Sequence, residues 1–302
     1  MEQTAARVGS KVNETRFDRI FNVVVYVLLA LMLIVVIYPL YFVLLASVSD
    51  PQYVNSGTPL LYPRGFTLMG YSRVFADNRI WIGYANTLLY AGAGTLLAVA
   101  VQVMAGYALS RSDLPGRNIF MALFVFTMYF GGGLIPFYLV VKSLNLVNSR
   151  LLMVMLGCSS VYNIIIIRSF FVSTLPKELQ EAAFIDGCTN QRYFFSIVLP
   201  LSKAIIAVIA LYALVAQWNS YFNAMIFLQN KAMRPLQLFL RDYLIASNVV
   251  DMSNVDFTTE SMGLQELVKN SMILLSVLPL WILYPFIQKY FVSGIMVGAV
   301  KG

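Results

Sequence analysis

The sequence predicts an all-α integral membrane protein with six transmembrane helices, and three observations carry that reading. The chain of 302 residues is 59% hydrophobic and 12% charged, with mean hydropathy +0.74; a soluble domain carries about 25% charged residues. Its apolar residues gather into six long runs, where about 20 residues suffice to cross a bilayer as a helix. Polar, proline- and glycine-bearing stretches separate the runs, and one of them, at 175–203, is long and charged enough to be a structure of its own.

Residues 1–19 are polar, with Arg7, Lys11, Arg16 and Arg19, and read as a cytoplasmic tail with a short interfacial helix. A six-helix membrane domain follows over 20–294. Its first span, 20–48, exceeds what a crossing needs, so Pro39 kinks it or the helix tilts. That run is also too long for a cleaved signal peptide. The 49–83 segment holds Pro51, Pro59, Pro63, Gly57 and Gly65 and reads as an extracytoplasmic loop with a short helix near 71–75. The second span, 84–110, carries Gly92, Gly94 and Gly106, where neighbouring helices can approach closely. A tight polar turn at 111–117 leads to the third span, 118–141. There Gly131, Gly132 and Gly133 before Pro136 predict a broken helix, which a membrane tolerates only in protein or beside a cavity. The fourth span is 150–172, the polar island 175–203, and the fifth span 204–228. A second polar loop covers 229–270. The sixth span, 271–291, is interrupted by Pro279 and Pro285, and 295–302 is a cytoplasmic tail.

Several function classes are excluded by what the chain lacks. The net charge of +7 comes with no basic stripe interleaved with aromatics, so it reads as topology signal and anionic-lipid contact rather than nucleic-acid binding. Histidine is absent, and of the two cysteines Cys158 falls in an apolar run and Cys188 in the polar island, which argues against a metal cluster, a structural disulfide or His-based catalysis. Cys158 has no base nearby in sequence, so an intramembrane enzyme is disfavoured. No Gly-x-x-x-x-Gly-Lys-Ser/Thr phosphate loop occurs, so this chain does not hydrolyse ATP alone. None of the six runs contains Asp or Glu, the groups that proton- and ion-coupled carriers place inside the membrane. Movement would then be driven from outside the chain.

The runs do hold neutral polar and aromatic groups. Residues 217–223 (Gln217, Trp218, Asn219, Ser220, Tyr221, Phe222, Asn223) are the densest set, with Gln102, Tyr107, Tyr162 and Asn163 elsewhere. Amides, hydroxyls and indoles suit sugars, whose hydroxyls want paired hydrogen bonds and whose CH faces stack on rings. Asn163, Gln217, Trp218, Asn219 and Tyr221 are the candidate substrate path. The competing reading is that they hold helices together or anchor the span at the interface.

The island has two characters. Glu178, Glu181, Asp186, Arg192 and Lys203 make it soluble, while Ala182, Ala183, Phe184, Ile185, Phe194, Phe195 and Ile197 give it an apolar side. Gly187 stands where two short helices need a residue tolerant of positive φ. A helical knob of this kind suits a groove on a soluble partner. At Glu181-Ala182-Ala183, Asp186-Gly187, Ile197 and Leu199-Pro200-Leu201 the chain resembles the EAA loop of the membrane subunits of binding-protein-dependent ABC importers. It departs from that pattern at Cys188, usually a small residue, and at Lys203-Ala204, where a proline is frequent. The 217–223 segment and the tail from Gln288 to Gly302 resemble the carbohydrate branch, the maltose-type second permease. The 131–136 stretch looks closer to alginate-type and lipo-oligosaccharide-type permeases.

That resemblance implies a type I importer permease fold and an assembly with a second related permease, two ABC ATPase subunits and an extracytoplasmic solute-binding protein. ATP and Mg would sit on the partner ATPases, with no cofactor on this chain. Glu181, Ala182, Ala183, Asp186, Gly187 and Phe194 would couple the permease to the ATPase. The cargo would be an oligosaccharide or related carbohydrate crossing a bacterial inner membrane by alternating access, with both termini cytoplasmic. A non-sugar cargo for the same machine, or an ATPase-independent carrier or channel, are the alternatives.

Overall fold

The computed structural model describes residues 15–54, 61–252 and 259–299, with the backbone alone over 246–252 and 259–262, at 287 and over 289–299. The described residues form helices and connecting turns with no strand. In chain order the helices are α1 (Arg16–Ala46), α2 (Pro51–Val54), α3 (Met69–Ala76), α4 (Asn78–Ser110), α5 (Arg117–Tyr129), α6 (Leu134–Ser143), α7 (Arg150–Met155) and α8 (Val161–Thr174). There follow α9 (Lys177–Ile185), α10 (Asn190–Tyr193), a π turn (Phe194–Val198) and α11 (Leu199–Leu201). Then come α12 (Lys203–Trp218), α13 (Phe222–Phe227), a 3₁₀ turn (Lys231–Met233), α14 (Leu236–Met252) and α15 (Thr259–Ala299).

Three of these helices, α1, α4 and the Gly263–Phe286 part of α15, are long and apolar enough to cross a membrane. Two bent pairs raise the number to five if each counts as one span, and α8 is a shorter apolar helix. α1 begins at a capping box: Thr15 Oγ1 accepts from the Asp18 amide at 3.1 Å while Asp18 Oδ2 accepts from the Thr15 amide at 2.9 Å. Most of its apolar side chains face outward, as a lipid-facing helix requires, and only Leu45 and Ala46 are buried.

α4 is the hub, packed against α7, α8, α12 and α14. Two glycines set the approach: a Cβ on Gly94 would lie 2.6 Å from Gln217 Nε2, and one on Gly106 2.6 Å from Ile167 Cγ2. Gly92, expected to act likewise, faces open space. α4 also starts earlier than residue 84, because Asp77 caps it by accepting from the Arg79 amide at 2.9 Å.

The breaks fall partly where the sequence placed them. The glycine run separates α5 from α6 with a bend of 114°, as expected. The fourth span, read as continuous over 150–172, is instead divided into α7 and α8. The carbonyls freed at that gap are met from other helices: Gln102 Nε2 donates to Gly157 O at 3.3 Å and Cys158 O at 3.1 Å, and Gln217 Nε2 donates to Leu156 O. The fifth span ends at Trp218 rather than 228. The expected interruption at Pro279 and Pro285 is absent, since α15 runs through both. A proline at 279 leaves the Leu275 carbonyl without its helical donor, and the Tyr84 hydroxyl supplies one at 2.5 Å. Much of the loop expected over 229–270 is helix, formed by α14 and the start of α15.

Candidate functional site

The island folds as a helical hairpin. α9 ends where the Asp186 amide donates to Ala182 O (3.0 Å), the Gly187 amide to Phe184 O (3.0 Å) and the Cys188 amide to Ala183 O (2.9 Å). Gly187 has φ 79°, a left-handed conformation that side-chain-bearing residues avoid. Thr189 caps the second arm by accepting from the Arg192 amide at 3.3 Å. Pro200 has no N–H to donate, and the helix widens into the π turn just ahead of it. The chain then bends by 80° into α12.

The hairpin has an inner and an outer side, and the six candidate residues divide between them. Ala183, Tyr193, Phe194 and Val198 are buried against Val103, Ile167, Phe171, Ile205 and Ile209. Phe194, only 8% exposed, lies 4.8 Å from the Tyr107 ring, and Tyr107 meets Phe171 edge-on at 6.0 Å. Phe194 and Ala183 therefore anchor the hairpin and offer little surface to a partner. Glu181, Ala182, Asp186 and Gly187 are exposed. With them stand Ile185, 86% exposed, and Phe195, 64% exposed. A shallow cleft of 410 Å³ between the arms is lined by Ala182, Asp186, Arg192 and Ile197 among others.

One residue that sequence reading left in the 111–117 turn holds both arms. Arg111 Nη1 donates to Asn190 Oδ1 at 3.0 Å and to Tyr107 Oη at 3.1 Å. Its guanidinium sits 5.6 Å from the Phe184 ring centroid and 5.9 Å from that of Tyr107. Arg111 also pairs with Asp113, and this contact holds the Asp113 carboxyl below the usual carboxylate range while raising the Arg111 pKa. The Arg111 side chain is 11% exposed and so charge-paired in a shielded place. Phe184 belongs to α9 and Asn190 to α10, so a single guanidinium at the end of α4 ties the whole hairpin to the hub helix. An arginine in a polar turn after a span was the only sequence signal. Arg168 adds a second tie between α8 and α4, donating from Nε to Leu109 O at 3.1 Å. Burial pushes the Tyr193 phenol up, which keeps it a neutral packing group.

The candidate substrate path is also divided. Trp218 is 2% exposed and donates its indole N–H to Ser276 O at 3.0 Å. Gln217 is buried and turned to the α7–α8 gap, and Asn163 donates from Nδ2 to Gln102 Oε1 at 3.0 Å. All three bond to other helices, and Asn163 and Gln217 also line an open cleft. Asn219 and Tyr221 are exposed, and Asn163, Gln217 and Asn219 line that cleft of 780 Å³ with Tyr162, Ser220 and Asn223 among others. The tail from Gln288 to Gly302 lies largely where only the backbone is described, and 300–302 and 1–14 lie outside the described residues.

No protein-family model matches the chain. It is 35% identical over 285 residues to the polygalacturonan/rhamnogalacturonan transport system permease protein YtcP of Bacillus subtilis (strain 168), covering 94% of this chain and 99% of that protein. It is 33% identical over 290 residues to protein LplC of the same organism, covering 96% of this chain and 98% of the other. Among solved structures it matches a bacterial ABC transporter involved in the import of the acidic polysaccharide alginate, with TM-score 0.81 and 32% identity, covering 92% of this chain and 99% of that one.

Proposed function

We propose that this chain, which belongs to the permease subunits of carbohydrate ABC importers, moves an oligosaccharide by alternating access under the drive of separate ATPase subunits. The observation that carries the reading is the two-sided hairpin, anchored within by Phe194 and Arg111 and presenting Ile185, Phe195, Glu181 and Asp186 without. A partner seated on the outer side would move α4, α8 and α12 together, because the inner side is continuous with their packing.

ATP and Mg²⁺ would be held by the ATPases, whose closure on ATP would swing the hairpin and whose hydrolysis would reset it. The hairpin lies on the cytoplasmic side in this reading, with both termini, and six spans cross the membrane between 20 and 294. A second, related permease completes the translocation path, and an extracytoplasmic binding protein delivers cargo at the opposite end. Asn219, Tyr221 and the amides of the open cleft remain the sugar-facing candidates. The polygalacturonan relative and the alginate transporter support a polysaccharide-derived cargo.

The test is co-purification of the tagged chain from its native membrane under mild detergent. An ABC ATPase and a second permease should come down with it, and Ile185→Asp should lose the ATPase while keeping the permease. Recovery of the wild-type chain alone would contradict this function.

A further inference from the structure

At the other end of α4 from Arg111 lies a second, basic cavity. Arg111, the residue capping α4, lies 32 positions after Arg79, about 48 Å at 1.5 Å per residue, so the cavity and the hairpin stand on opposite sides of a bilayer's thickness. The polar stripe of α4 builds it. Asn86 Nδ2 donates to Ala232 O at 2.9 Å and to Arg234 O at 3.1 Å, Tyr90 Oη donates to Met233 O at 2.8 Å, and Thr87 Oγ1 accepts from the Leu236 amide at 2.9 Å. These bonds hold the 3₁₀ turn and the start of α14 against α4. The resulting cavity of 400 Å³ is walled by Arg79, Lys231, Arg234, Asp242, Phe239 and Tyr243 among others, within the roughly 300–1,000 Å³ of small-molecule sites.

The charge in this cavity is not balanced from within. Arg79 is paired with Asp77 at 2.6 Å and stacks 5.0 Å from the Phe239 centroid. Asp242 is shared by Arg234 at 3.4 Å and Arg241 at 3.2 Å. Four cations, counting Lys231, therefore meet two carboxylates among the described residues that line or touch the cavity. Arg234 Nε is buried and finds no hydrogen-bond partner among the described residues, and a buried donor left unpaired is costly. A planar guanidinium with a free edge is built for two carboxylate oxygens. The aromatic wall of Phe239 and Tyr243 offers a surface for the CH face of a ring. Arg241, which shares Asp242, lies 5.9 Å from the Tyr221 ring centroid, beside Asn219 and Ser220 of the open amide cleft. A strip of cationic and aromatic groups thus runs from the cavity to the cleft.

We infer that the cavity is a carboxylate subsite on the loading side and that the cargo is an acidic, uronate-type saccharide. This rests on the carbohydrate reading above and adds the charge of the cargo and the residues that read it. Arg234, which lines the cavity, takes the carboxylate through its guanidinium, Lys231 adds charge at the rim, and Phe239 supports the ring.

The experiment measures ATP-driven uptake by the intact transporter, with all its partner subunits, of three labelled probes: trigalacturonate, its fully methyl-esterified form and maltotriose. Wild type should prefer the charged probe over its ester by about tenfold or more. Arg234→Gln should lower uptake of the charged probe roughly tenfold more than that of the ester. Lys231→Gln, at an exposed position, should lower that preference about threefold, and equal membrane abundance of the variants excludes misfolding. Equal uptake of charged and esterified probes by wild type overturns the inference and leaves the carbohydrate reading standing. A fall of all uptakes together in both variants overturns it in favour of a docking contact for a protein partner. Uptake of none of the three by an assembled, ATP-hydrolysing transporter overturns the carbohydrate reading and this inference with it.

Discussion

Residues 181–203 and 217–223 are alike in sequence, polar patches set against apolar runs, and unlike in structure. The first keeps its charged side outward and uses Phe194, Ala183 and Arg111 to fasten an apolar side to the bundle. The second turns Gln217 and Trp218 inward, where they donate to carbonyls just past α7 and on α15, Gln217 doing so from the wall of the open cleft. The difference lies in what surrounds each patch. A hairpin at a membrane surface can leave polar groups to water, whereas an amide inside a bundle beside a helix break is drawn to the nearest orphaned carbonyl. Polar residues in a transporter's spans therefore cannot be assumed to face cargo.

The largest effect should come from Gly187→Pro. Proline cannot adopt φ 79° and would remove the amide that donates to Phe184 O. The hairpin should open, and ATPase retention should fall to background in pull-down while the chain still inserts. Phe194→Ala removes a buried ring and should cost about 3–5 kcal/mol, read as a lowered melting temperature in detergent. Gln217→Leu should cost about 1–3 kcal/mol by leaving carbonyls at the α7–α8 gap unpaired. Asn219→Ala, on the open cleft, should leave the melting temperature unchanged and lower uptake. If Gln217→Leu proved as stable as wild type with uptake lost, the contrast between inward and cargo-facing amides would be reversed.

The smallest effect concerns Asp113. Its pKa is lowered by Arg111, so the pairing is present above the usual carboxylate range, about 4, and is lost as pH falls through the lowered value. Asp113 is 59% exposed, so solvent screens the pair and Asp113→Asn should change the melting temperature little. A slight loss of pH sensitivity below that range would be the readout.

The apolar runs were legible, as were the glycine break before Pro136, the close approach at Gly94 and Gly106, and the hairpin turn at Gly187. What the sequence hid is supplied by residues distant along the chain. The α7–α8 gap is stable only because Gln102 and Gln217 arrive from two other helices, and nothing local to 156–160 announces them. Pro279 reads as a breaker until Tyr84, nearly two hundred residues earlier, provides the missing donor. Phe194 reads in sequence as one of the apolar residues the island offers a partner, but the π turn sets it inward beside Tyr107. The basic cavity unites residues 79, 231, 234 and 242, and no window of sequence contains them all.

The central claim is that Arg111 makes the hairpin one rigid body with α4, so that force on its outer side reaches the bundle. The direct measurement is the ratio of saccharide moved to ATP hydrolysed by the reconstituted transporter carrying Arg111→Gln, beside Ile185→Asp. Arg111→Gln should retain the ATPase and its hydrolysis while the ratio falls severalfold; Ile185→Asp should lose the ATPase itself. An unchanged ratio in Arg111→Gln, with the ATPase bound, would contradict the claim.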